Sequence, residues 1–313
     1  MRAIVLLNMG GPNNLEEVEL FLKNMFNDIN ILPIKNRFLR KFVAFIITNM
    51  RKKEAKSNYE KLGGCSPLNI YTKKLIEKLS LLLPDIYVTY TMRYTPPFAK
   101  DTIKELISKN IKEVFLISLY PHYSKTTVFS SLEDFYITAK ELRFDAKFYE
   151  ISNFYKNSIF NEAIIEKIKN TLNGENPSEF DLIFSAHSLP KTLIKKGDPY
   201  QQEIEDHVQI LKELLKKKDI KFKNIHLAYQ SKLGPVEWLE PSLDEMLKNI
   251  ENKKVIIYPI SFTLDNSETL FELHIEYADI AKKIGIDNIR VCECVNDSDK
   301  FCQSLIDTYK RIK

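Results

Sequence analysis

Glycine is scarce in this chain, with 8 in 313 residues. No Gly-x-Gly-x-x-Gly or Gly-x-x-x-x-Gly-Lys-Ser/Thr run occurs, so a phosphate-cradling nucleotide loop has no sequence support. Four cysteines are too few for a disulfide framework at this length, which points to a reducing compartment. No apolar run approaches the roughly 18 residues of a membrane span. The early run Ala3–Leu7 is too short for a secretory signal, and with neither signal the expected location is cytoplasmic. Charge of one sign is not in large excess: 46 basic against 42 acidic residues leave a net +4. No zinc-finger or RNA-recognition pattern accompanies that excess, so nucleic acid is not an expected partner. A small anionic ligand or a membrane surface stays compatible with it.

What is present is apolar content, 44% of the chain, enough for a large core in one big domain or two ordinary ones. Strands are expected at Arg2–Leu7, Ile86–Met92, Lys112–Leu119, Lys147–Glu150, up to Phe184, and at Asn224–Tyr229, Lys254–Tyr258 and Asn288–Val291. Helical spacing falls between most of them: Leu15–Asn27, from near Asn69, Val128–Leu142, Asn161–Leu172, Tyr200–Leu215, Pro241–Ile250, Ser267–Lys283 and Asp297–Arg311. Alternation of this kind indicates βαβ units with parallel strands, an α/β class. About eight strands without a strict eightfold repeat favour two sheets over a barrel.

One further segment, residues 37–53, is an apolar stretch bracketed by basic residues, with Phe38, Leu39, Phe42, Phe45, Ile46 and Met50 between Arg37 and Lys53. It reads either as a buried core helix or as an interfacial helix making a peripheral membrane contact.

Polar or special clusters follow six of the strands: Asn8–Pro12, Arg93-Tyr94, Pro121–Ser124, Ser185–Ser188, Gln230–Pro235 and Pro259–Glu268. Ligands of open α/β sheets sit beyond the carboxyl ends of strands, so these clusters are expected to share one cleft. Taken alone, His187 reads as an ordinary core or surface histidine. Eighty-one residues on, however, Glu268, Glu272 and Glu276 form an i, i+4, i+8 ladder on one helix face, with Leu273, Tyr277 and Ile280 as the apolar face beside it. Like charges so spaced repel, and a carboxylate ladder suits holding a divalent cation or passing protons. For Glu268 a capping box with Asp265 as N-cap is the structural alternative. Ser66 reads as the cap of the helix that follows it, and Trp238 as a residue at a pocket edge, placed to pack or to stack on a flat ligand. Cys292, Cys294 and Cys302 are spaced unlike common iron–sulfur motifs, which argues against a [2Fe–2S] cluster.

Together these segments resemble the ferrochelatases. The resemblance covers nearly the whole chain in order: Leu7–Pro12, Gly63–Leu68, Met92-Arg93-Tyr94, Leu119–Ser124, Phe184–Pro190 with Gly197–Tyr200, Gln230–Pro235 with Trp238-Leu239, and Asp265–Leu270 with Glu276-Tyr277. It implies a chelatase-like fold of two Rossmann-like lobes, each a parallel four-stranded sheet flanked by helices, with the porphyrin in the interlobe cleft. It implies porphyrin, protoporphyrin IX above all, and ferrous iron as the substrates, and no required cofactor. His187 and Glu268 match the catalytic pair. His187, Glu268, Glu272 and Glu276 match the metal-side residues, the last two as an acidic path outward. Met9, Ser66, Arg93, Tyr94, Tyr123 and Trp238 match substrate-binding positions. Relatives often carry histidine where this chain has Asn266. The lobes are expected at 1–122 with 290–313, and at 123–289, the last helix returning to the first lobe.

Overall fold

A computed structural model describes residues 1–232 and 234–312. Leu233, within the Gln230–Pro235 motif, and Lys313, the end of the expected returning segment, lie outside the described residues. The chain forms two parallel four-stranded sheets. The first contains β1 (Arg2–Asn8), β2 (Ile86–Met92), β3 (Glu113–Ser118) and β4 (Lys147–Ile151), in the order β2-β1-β3-β4. The second contains β5 (Asp181–His187), β6 (Asn224–Gln230), β7 (Lys254–Pro259) and β8 (Asn288–Val291), in the equivalent order β6-β5-β7-β8. All eight strands lie where the apolar runs place them. Central β1 and β5 are buried nearly end to end, as strands covered on both faces must be, whereas edge strand β8 is half-buried throughout.

The helices of the first unit are α1 (Glu17–Asn27), α2 (Arg37–Lys61), α3 (Pro67–Leu82), α4 (Ala99–Ser108) and α5 (Ser130–Glu141). Helix α4 has no counterpart in the sequence reading. The second unit contains α6 (Ser158–Leu172), α7 (Lys191–Lys195), α8 (Tyr200–Lys217), α9 (Leu243–Asn249) and α10 (Ala278–Lys283), and α11 (Asp299–Ile312) ends the chain.

The unit boundaries differ from the expected ones. The first compact unit comprises Met1–Tyr120, Ser124–Asn153 and the chain from Ile306, and the second comprises Pro121–Tyr123 and Phe154–Leu305. The reason is strand pairing. β4 adds to β3 in register from Glu113↔Lys147 to Ile117↔Ile151, so α5 and β4 complete the first sheet. β8 pairs with β7, which keeps residue 290 in the second unit. Residues 121–123 join the second unit because Pro121 O accepts from Phe154 N and Tyr155 N, and Tyr123 N donates to Glu203. The end of α11 does belong to the first unit, where Tyr309 packs edge-on against Phe115 at 4.7 Å.

Helix α2 is buried on one face and exposed on the other. Ala44, Thr48 and Tyr59 are buried, and Ala44 and Tyr59 pack with Phe21, Leu22 and Phe26 of α1. Its other face leaves Phe38 84%, Phe42 61%, Phe45 64% and Met50 76% exposed, a stripe of large apolar groups on the surface. Among the described residues no helix is long and apolar enough to cross a membrane.

Candidate active site

In each sheet the strand order reverses beside the first strand, between β1 and β3 and between β5 and β7. The carboxyl end of such a switch point is where an open α/β sheet leaves a crevice. His187 is the last residue of β5, and the turn after β7 brings Ser261 beside it, so that the His187 N–H donates to Ser261 Oγ at 2.9 Å. The Tyr200 hydroxyl donates to His187 O at 2.8 Å. The histidine backbone is thus held from both sides, and Phe262 stands edge-on to its ring at 6.4 Å.

The ring meets Glu268, with Nδ1 and Glu268 Oε2 2.7 Å apart. A carboxylate only accepts, so Nδ1 carries the hydrogen, and in the neutral ring Nε2 presents a lone pair. Burial pulls the His187 pKa down, but the charge and hydrogen bond of Glu268, with the charge of Glu272, outweigh it, and the net shift is upward.

Glu268 opens a ten-residue π-helix, Glu268–Tyr277, where the spacing predicts an ordinary α-helix. π segments are rare and concentrate at functional sites. Phe271, Leu273 and Tyr277 are its buried face, and Leu273 and Tyr277 pack against Ile183, Leu243, Leu247, Val255 and Ile257. The cap is not Asp265. Asn266 Oδ1 accepts from Glu268 N at 2.8 Å and Thr269 N at 3.4 Å, whereas Asp265 is buried and accepts from Thr269 Oγ1, Asn296 Nδ2 and Cys294 N. Glu272 lies next in the ladder, and burial, then the charge of Glu268, raise its carboxyl from 4.5 to about 7. Glu276 is exposed. The ladder therefore runs from a half-buried carboxylate at His187 to one at the surface. Among the described residues no three His, Cys, Asp or Glu side chains converge as a metal cage.

Ser231 was not singled out in the sequence, yet its hydroxyl lies 2.6 Å from Glu272 Oε2 and 3.1 Å from Glu268 Oε2. Ser261 and Tyr200 also carried no assigned role. Each lies inside a quoted motif, and that position was the only available signal.

The other expected residues divide between the units. Trp238 is brought to the His187 loop by backbone: it bridges Pro190, Leu239 N donates to Leu189 O, and Lys191 N to Glu237 O. Its indole Nε1 is buried without a hydrogen-bond partner. Tyr123 is half-buried in the same unit. In the first unit, Met9 is half-buried at the end of β1 and packs on the α1–α2 core. Arg93 is committed to a network: its guanidinium meets Asp28 and Asp134, each at 3.3 Å, and Ser130 Oγ at 2.9 Å. The Tyr94 hydroxyl donates to the same Asp28 at 2.8 Å. Ser66 is 2% exposed and makes no side-chain cap; its hydroxyl fills the space a Cβ on Gly11 would need, so it packs the Gly10-Gly11 turn. Cys292, Cys294 and Cys302 are buried thiols, and burial pushes Cys292 up to about 12.

Residues 1–312 match the ferrochelatase family model. A ferrochelatase of a Nitratiruptor species is 64% identical over 312 residues, covering 100% of both chains. One of Sulfurimonas denitrificans is 52% identical over 312 residues, 99% of each chain. Among solved structures, SirB from Bacillus subtilis with Fe3+ matches with a TM-score of 0.56 at 10% identity, over 77% of this chain and 88% of that one, a likeness of fold.

Proposed function

The chain belongs to the ferrochelatase family, metal chelatases of haem biosynthesis that insert Fe2+ into a porphyrin, and from that premise we propose which residues carry the reaction. The observation that carries the proposal is the His187–Glu268 pair, 2.7 Å apart at the carboxyl end of β5. Metal insertion requires that two pyrrole N–H protons leave and that the ion shed its water shell. The lone pair on His187 Nε2 serves as a base or a transient ligand, and Glu268 holds the ring in that tautomer while stabilising the imidazolium formed. Glu272, titrating near neutral pH, takes protons onward, and exposed Glu276 meets solvent. Loosely grouped donors suit this task better than a closed cage, because a substrate ion must leave them for the macrocycle nitrogens.

Protoporphyrin IX is the proposed macrocycle. Met9, Arg93 and Tyr94 of the first unit, and Tyr123 and Trp238 of the second, are its proposed contacts, with Arg93 and Tyr94 held in place by buried Asp28. Ser66 is assigned to shaping the turn that follows Met9. Iron is substrate, and no resident cofactor is proposed. The exposed apolar stripe of α2, with Arg37 and Lys41 beside it and no acidic residue before Glu54, is proposed to rest on a membrane surface, as a peripheral contact of a cytoplasmic protein.

The test is zinc or iron insertion into protoporphyrin IX and, separately, coproporphyrin, by wild type, His187→Ala and Glu268→Ala. Both variants should lose about 10²- to 10⁴-fold in turnover, the range of a positioned acid–base group. Wild-type turnover by His187→Ala would end the assignment, and faster turnover of coproporphyrin would replace the substrate.

A further inference from the structure

We propose that Ser231 is a positioning residue of this site, its hydroxyl holding the carboxylates of Glu268 and Glu272 together so that Glu268 stays aimed at His187. The inference rests on the assignment of His187 and Glu268 above.

Ser231 directly follows β6 and has φ +65°, in the left-handed region that residues with side chains seldom occupy. A glycine fits there without steric cost. Serine in that conformation therefore needs another justification, and its side chain supplies one. Oγ lies 2.6 Å from Glu272 Oε2 and 3.1 Å from Glu268 Oε2, and that same Glu268 oxygen is 2.7 Å from His187 Nδ1. One small group thus ties three elements: the end of β5 through His187, the end of β6 through its own backbone, and the first turns of the π-helix through both glutamates.

The chemistry of the contact sets its role. Two carboxylates this close repel, and a hydroxyl between them offers a hydrogen to one while remaining within reach of the other. From the β6 side it is this hydroxyl that draws Glu272 toward Glu268, and without it repulsion would turn Glu272 toward water. Glu268 would then lose one of the contacts fixing its Oε2. Ser231 itself touches neither the metal-binding lone pair of His187 nor the macrocycle in this scheme; it acts through the two glutamates.

Ser231→Gly is the decisive variant, because it removes the hydroxyl while easing the backbone; Ser231→Ala removes the hydroxyl and keeps the strain. Zinc insertion is measured for both, with porphyrin and zinc varied independently and unfolding followed alongside. We expect kcat to fall about 10- to 100-fold in both variants, the scale of a misplaced catalytic group. Porphyrin KM should stay within about twofold, since uniform binding is untouched. The unfolding midpoint of Ser231→Gly should equal or exceed that of wild type. Wild-type kcat in Ser231→Gly would overturn the inference, as would a rise in porphyrin KM matching the fall in kcat. His187→Ala in the same assay separates the two levels. If it is inactive while Ser231→Gly is fully active, only the role of Ser231 fails; if it is fully active, the site assignment fails with it.

Discussion

Replacing Glu272 with glutamine should stabilise the protein at high pH and leave it unchanged at low pH. The Glu272 carboxyl is raised from 4.5 to about 7, because burial and the neighbouring Glu268 charge disfavour its ionised form. A group whose folded pKa exceeds its unfolded one contributes stability that is present in full below pH 4.5 and lost as pH rises through about 7. At about 1.4 kcal/mol per pH unit, the full shift corresponds to about 3 kcal/mol. Part of that shift comes from the Glu268 charge rather than from burial, so the part removed by one substitution is on the order of 1–3 kcal/mol. Glutamine mimics the protonated form and still accepts from Ser231. The assay is urea unfolding of wild type and Glu272→Gln between pH 4.5 and 9, read by the fluorescence of Trp238, the only tryptophan, which lies in the same unit. The two proteins should nearly coincide at pH 4.5, diverge steadily from there to about pH 7, and hold a constant gap above it, with the variant the more stable by about 1–3 kcal/mol at pH 8. A constant difference across the range, or a variant less stable at pH 8, would refute the electrostatic reasoning.

Asn266→Ala removes the side chain that receives Glu268 N and Thr269 N, and should cost about 1 kcal/mol in the same unfolding assay; no loss would move the cap elsewhere. Phe42→Glu, on the exposed stripe of α2, should reduce co-sedimentation with anionic liposomes while leaving the unfolding midpoint within a degree or two, since the side chain is 61% exposed. Unchanged binding would remove the membrane contact.

Much of the fold was legible because parallel strands buried on both faces are written as short apolar runs, and Ala3–Leu7 and Leu182–Phe184 are such runs. The unit boundary was less visible. Residues 123–153 alternate helix and strand like their neighbours, and only the pairing of β4 with β3 shows which sheet they complete. The site was legible as a set of strand-end motifs, and His187 and Glu268 do meet. What the motifs did not carry was the hydrogen bonding behind them. Asp265 and Asn266 are adjacent and both suited to capping, and only the buried contacts of Asp265 with Asn296 and Thr269 decide between them. The π-helix has no signature in the apolar spacing, which fits an α-helix equally well, and so the reach of Ser231 to two glutamates was hidden. Arg93 and Tyr94 read as pocket residues, and what the motif did not show is that Asp28, just past the end of α1, binds both.

The central claim is that His187 and Glu268 work as one unit, and a double-mutant cycle on zinc insertion tests it most directly. Groups that act together are not additive when removed. The account predicts that His187→Ala combined with Glu268→Ala is no more than about tenfold slower than the worse single variant. Losses that multiply through the cycle would show two independent contributions and contradict the claim.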